Sequence, residues 1–153
     1  MYLSSSTGAG EGLFVTNAAS LRATIGDDTT GLMVVTNGFV QVGAVGVVGN
    51  QLVLGNNGGS SSSGTLVLSG PTVSWSNNAA ILIGNDSSSY GNSLIISNSA
   101  SMTCVGASLS VGGAASGPNS LLLDSGGQLF VTGVGANVGT SAGAGVSGGI
   151  SVC

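Results

Sequence analysis

Along this chain, apolar residues come in short runs, and the runs are punctuated by Gly, Asn, Ser and Pro. Short β-rich runs bounded by such residues predict β-strands. The clearest stretch carries three of them: Leu66-Val67-Leu68-Ser69, then Thr72-Val73-Ser74-Trp75-Ser76, then Ile81-Leu82-Ile83. No segment has the apolar spacing of an amphipathic helix, so the reading is all-β. The runs also repeat. A hydrophobic residue followed by Gly recurs at Ile25-Gly26, Leu54-Gly55, Ile83-Gly84, Val111-Gly112 and Val138-Gly139, a near-constant interval along the chain. Leu66-Val67-Leu68-Ser69 returns as Leu94-Ile95-Ile96-Ser97, as Leu121-Leu122-Leu123-Asp124 and, truncated, as Ile150-Ser151-Val152. Near the start, Leu13-Phe14-Val15-Thr16-Asn17 matches Leu94-Ile95-Ile96-Ser97-Asn98. The second turn fits less well: Met33-Val34-Val35 arrives early and residues 44–51 read as an insertion.

When the same positions recur every turn, each strand's natural neighbour is its own copy one turn on, in parallel ladders about 4.8 Å apart. The predicted fold is a single-stranded right-handed parallel β-helix, a β-solenoid, the hand following the usual crossover preference. It has three short strands per turn, about 27–29 residues per turn and roughly five turns. One domain is expected over residues 1–153, with a partial first turn at 1–12, about five turns over 13–149 and the start of another at 150–153. Alternation sends Leu66/Leu68, Leu94/Ile96, Leu121/Leu123, Val73/Trp75, Met102/Cys104, Leu129/Val131, Ile81/Ile83 and Leu109/Val111 inward as stacked columns. Asn17, Asn37, Gly70, Asn98 and Ser125 are predicted to share one corner, being mostly residues that tolerate a left-handed backbone.

The phrases Gly64-Thr65-Leu66-Val67-Leu68-Ser69-Gly70 and Ala80-Ile81-Leu82-Ile83-Gly84-Asn85 resemble the β-strand repeats of autotransporter passengers. The resemblance spans roughly residues 12–153. It implies a right-handed parallel β-helix exported to the cell surface, and it brings no catalytic residues with it.

Composition changes the picture in one respect. Charged residues make up only 4% of the chain, with one Arg, no Lys and no His, against roughly 25% in ordinary domains. The surface must therefore be wetted by Ser, Thr, Asn and Gly, which suits an assembled or glycosylated object. The net charge of −4 with a single cation excludes a nucleic-acid partner, since neutralising phosphates takes many Lys or Arg. No apolar stretch approaches the ~20 residues of a membrane-spanning helix. Cys104 and Cys153 lack the close spacing of a metal or redox pair. A catalytic solenoid would need clustered acids and a base, but Asp86 and Asp124 stand isolated, so the chain is expected not to be an enzyme and to need no cofactor or metal. Asp27-Asp28 reads as a solvated turn in preference to a Ca²⁺ site. Asn85-Asp86-Ser87 is the sole N-glycosylation sequon, making Asn85 a candidate for glycan modification.

One anomaly points to association. With Leu66 and Leu68 inward, Val67 faces out, and its counterparts Phe14, Val34, Ile95 and Leu122 are also large and apolar. Such a ribbon usually marks an interface, so these five residues are the candidate lateral contacts. Tyr2 and Leu3, read as a third strand, and Ile150 and Val152, read as a first strand, are the candidate end-stacking residues, because an uncapped strand edge recruits another chain. The expected function is a structural subunit of an extracellular self-assembling fibre or surface layer, a homo-oligomer or filament. The alternative is an adhesin passenger segment that binds a surface ligand through its loops; a carbohydrate-active β-helix is a more distant third.

Overall fold

The computed structural model describes residues 2–3, 12–16, 21–44, 47, 50–56, 62–86, 88–112, 118–138, 144–147 and 151–152. Their regular structure is entirely β. In chain order the strands are β1 (Tyr2–Leu3), β2 (Gly12–Val15), β3 (Arg22–Asp27), β4 (Thr30–Val35), β5 (Phe39–Val42), β6 (Gln51–Asn56), β7 (Ser63–Ser69) and β8 (Ser74–Asn77). They continue as β9 (Ala80–Ile83), β10 (Ser93–Ser97), β11 (Ser101–Val111), β12 (Asn119–Leu123), β13 (Gln128–Val138), β14 (Ala144–Ser147) and β15 (Ser151–Val152).

Each strand pairs in parallel with its equivalent one turn away, which builds three faces. The first face is the six-stranded sheet β1-β4-β7-β10-β12-β14. The second runs β2-β5-β8 and then through the N-terminal halves of β11 and β13 to β15. The third runs β3-β6-β9 and then through the C-terminal halves of β11 and β13. Strand β11 serves two faces by turning the corner without leaving the strand: Met102 pairs with Trp75 on one side, Leu109 with Ile81 on the other, and the register shifts between Val105 and Leu109. The architecture is a parallel β-solenoid with three strands per turn. No helix among the described residues is long and apolar enough to cross a membrane.

The predicted inward columns form the core. Leu66, Leu68, Leu94, Ile96, Trp75, Met102, Ile81, Ile83 and Leu109 are each at most 2% exposed. Within the second-face columns Asn77 is a polar inward position, lying between Val42 and Cys104. Burial of an amide is tolerable only with partners. Asn77 Nδ2 donates to the Ala79 carbonyl, and Trp75 Nε1 donates to Asn77 Oδ1 at 3.5 Å.

The repeat glycines have a backbone cause. Gly26, Gly55, Gly84 and Gly112 hold φ of +75°, +71°, +75° and +70°, a left-handed bend at the end of four successive third-face strands that L-residues resist, while Gly139 lies outside the described residues. The other predicted corner is equally regular: Asn37, Gly70, Asn98 and Ser125 occupy equivalent places after β4, β7, β10 and β12. Asn98 and Ser125 there adopt φ of +52° and +47°. Asn17 lies outside the described residues, and the strand before it, β2, belongs to a different face.

Turn length is less even than the sequence period predicts. The equivalent first-face positions on successive rungs are Tyr2, Val34, Val67, Ile95, Leu122 and Ser147. The interval is longest over the first two turns, from Tyr2 to Val67, and shortens with each turn after that. The second turn holds the expected insertion: residues 43–50 separate β5 from β6, whereas only Asn78 and Ala79 separate β8 from β9. Met33-Val34-Val35 is nevertheless in register with Leu66-Val67-Leu68. It reads as early only when Leu13-Phe14-Val15 is aligned with the first face.

Candidate interaction surfaces

On the first face, inward residues fill the bore and their neighbours face out. The outward positions Val34, Val67, Ile95 and Leu122 are in register on adjacent rungs, each half-buried by the rungs beside it. Tyr2 shares their register position. Small hydroxyl residues flank the column. Thr65, Ser93 and Ser120 lie on one side, where the Ser93 and Ser120 hydroxyls are 2.9 Å apart. Ser69 and Ser97 lie on the other, and Asn98 Nδ2 donates to Ser69 Oγ at 2.8 Å. Leu32, 55% exposed, begins the Thr65 column. No outward position of β4, β7, β10 or β12 is charged.

Phe14 does not belong to this ribbon. It sits on β2 of the second face, in register with Gln41, and is 61% exposed. Its ring packs against Phe39, with centroids 5.7 Å apart and planes tilted by 52°. The misassignment has a simple cause: first-face and second-face strands both alternate inward and outward, so three consecutive apolar residues do not reveal their face. Further along the second face, the outward positions Ser74, Ser76, Ser101, Thr103 and Gln128 are polar, and Phe130 is again apolar.

The end-stacking candidates also change face. Tyr2 and Leu3 pair with Val34 and Val35, making β1 a first-face strand and not a third. Val152 pairs with Val131 on the second face, and the first-face strand of that turn is Ala144–Ser147. Ile150 lies outside the described residues. Among the described residues, β1, β2 and β3 pair with a strand on one side only, as do β14 and β15.

The corners carry polar networks that run along the axis. At the corner entering the first face, Asn92 and Asn119 are buried one above the other. Asn92 Nδ2 donates to Asn119 Oδ1 and to Ser89 Oγ, both at 2.7 Å, while Asn92 Oδ1 accepts the Gly64 N–H at 2.7 Å. Ser89 Oγ in turn donates to the Gly55 carbonyl at 2.9 Å. Sequence reasoning missed this ladder, although Asn92-Ser93-Leu94 and Asn119-Ser120-Leu121 repeat the same triplet on successive turns. At the exposed corner after the third face, Arg22 donates to Asn56 Oδ1, and Asn56 Nδ2 donates to Asp27 Oδ1 at 2.8 Å. Asn85, the sequon residue, continues this column by donating from Nδ2 to Asn56 Oδ1 at 3.4 Å.

Chemistry-bearing groups stay dispersed. Among the described residues no three His, Cys, Asp or Glu lie together. Cys104 is a buried thiol that donates from Sγ to the Ala79 carbonyl at 3.6 Å; burial pushes its pKa up, with a smaller opposing effect from its hydrogen bond with Asn77. Fold and surface together define the class as a parallel β-solenoid repeat protein. No family model, curated protein or solved structure matches the chain.

Proposed function

We propose that this chain is a structural, self-associating β-solenoid, a unit of an extracellular fibre or surface layer. Copies stack head to tail through the strand edges and side by side through the first face. The observation that carries this reading is the outward apolar column Val34, Val67, Ile95 and Leu122 of the first face, flanked mainly by Ser and Thr, with Asp124 the one charge at the end of the Ser69 and Ser97 row. An apolar column with so little charge around it has little to oppose association with another like it. The axial half of the proposal draws on the parallel ladders themselves, which are of a kind that can continue from one copy into the next. A Ser-, Thr-, Asn- and Gly-wetted surface supports an extracellular setting.

A second reading is a passenger segment of autotransporter type that meets its ligand through loops. It is supported by the phrases 64–70 and 80–85, which fall on β7 and β9.

Negative-stain electron microscopy with sedimentation of the untagged chain separates the two. Uniform filaments, bundled side by side, are expected, and Val67→Asp with Ile95→Asp should disperse the bundles, because burying an unpaired carboxylate is strongly unfavourable. A monodisperse monomer would refute the structural reading, and unchanged bundles in the double variant would refute the lateral face.

A further inference from the structure

The bore is not filled evenly. Where the first two turns meet, it contains a cavity of about 210 Å³ whose floor is Trp75 and whose walls include Ala23, Val40 and Leu52. Its origin can be followed along the columns. Ala23 stands in register with Leu52, and Leu52 with Ile81, so one rung supplies a methyl group where its successors supply four-carbon side chains. Val40 likewise stands where the next rungs carry Trp75 and Met102. The turns containing these small residues are also the longest: the steps from Tyr2 to Val34 and from Val34 to Val67 each exceed those from Val67 to Ile95 and from Ile95 to Leu122. At Ala23 and Val40, then, the longer turns carry the smaller side chains. The outer wall is made by Leu13, Val15 and Ile25, which pack only partly buried against the core, so the way in needs no opening of the fully buried rungs.

We propose that this cavity is a binding site for a small neutral apolar molecule of about six to ten carbon atoms, such as an aromatic or alicyclic hydrocarbon. The lining is almost wholly hydrocarbon, with Thr24 its one hydroxyl side chain, so the space offers water too few partners to hold it well. Enclosed apolar cavities of about 150 Å³ accept benzene or xenon, and this one, larger and partly open along Leu13, Val15 and Ile25, has room for a ligand of the same kind. No described lining residue is charged, so an ion held among them would have no counter-charge, which favours a neutral ligand. The site is independent of the assembly reading: it lies within one chain.

Trp75 is the only tryptophan and touches the cavity, so it reports occupancy directly. The test is titration of the dispersed, full-length chain with toluene, followed by Trp75 emission excited at its red edge and by the Trp75 indole N–H resonance. Saturable shifts with a dissociation constant on the order of 1 mM or tighter are expected, as suits a ligand of this size. Ala23→Leu, which restores the side-chain size of the neighbouring rungs, should weaken binding at least tenfold while the spectrum of the unliganded fold is retained. Val40→Leu provides a second plug should the first variant not fold. No saturable shift up to the aqueous solubility limit of toluene would overturn the proposal, and so would equal binding by a folded plugged variant.

Discussion

Replacing Gly55 with Ala probes how the repeat glycine and the buried amide ladder depend on each other. Gly55 holds φ of +71°, and a Cβ built there would lie 1.9 Å from Asn92 Oδ1 and 2.3 Å from Ser89 Oγ. Two effects follow. The left-handed backbone alone costs an L-residue about 1–2 kcal/mol. The methyl group also cannot enter unless the Asn92 amide moves away from the Gly64 N–H, Ser89 Oγ and Asn119 Oδ1 that it now serves. Leaving one such buried group unsatisfied costs about 1–3 kcal/mol more. The expected total is about 2–5 kcal/mol, measured by urea denaturation followed by far-UV circular dichroism. Gly91→Ala isolates the first effect: its φ is +69°, but the nearest atom to its added Cβ is Ser63 Oγ at 3.8 Å. That variant should lose only about 1–2 kcal/mol. In an Asn92→Ala background the Gly55 penalty should shrink toward the Gly91 value, a coupling that a double-mutant cycle reads out. Equal losses for Gly55→Ala and Gly91→Ala, or no coupling to Asn92, would refute the claim that the glycine is required for packing as well as for its backbone angle.

Two further outcomes follow from the core. Ile96→Ala should cost about 2–5 kcal/mol in the same assay, because Ile96 is 0% exposed in the bore. Its outward neighbour Ile95, half-buried, should lose under about 1.5 kcal/mol on the same change in the dispersed chain. The second outcome concerns Cys104, whose pKa burial raises in the folded chain. The unfolded chain then releases the thiol proton first, so the neutral-thiol contribution is fully present at neutral pH and is lost as pH rises through the ordinary thiol range. Cys104→Ala should flatten that alkaline decline in a pH series of urea midpoints, and alkylation of native Cys104 at neutral pH should be slow compared with the unfolded chain.

Much of this fold could be read from the chain because a solenoid writes its contacts into a local period. The glycines at 26, 55, 84 and 112 mark a repeating bend, and the bend is left-handed at all four. Leu66, Leu94 and Leu121 stack by sequence spacing alone, and their parallel register is the observed one. Alternation within those strands assigns the inward side chains correctly. The errors fall where the period changes. Because the first two turns, from Tyr2 to Val67, are longer than those that follow, counting backward by a fixed period carries Leu13-Phe14-Val15 onto the wrong face. The shortened last turn, from Leu122 to Ser147, puts the first-face strand at Ala144–Ser147, ahead of the Ile150-Ser151-Val152 run.

The sequence by itself determined the strand content, the parallel stacking and the inside and outside of each well-formed strand, because all three depend on period and alternation. It also determined that the surface is nearly uncharged. Only the tertiary structure decided which face each end strand joins, since every face shares the same alternation and the choice rests on coil length. It alone paired Asn92 with Asn119 beneath Gly55 and Gly84, a contact made between corners of successive turns and not along any one strand. The cavity at Ala23 and Val40 is likewise tertiary, because a void is a property of three walls closing at once and no single column contains it.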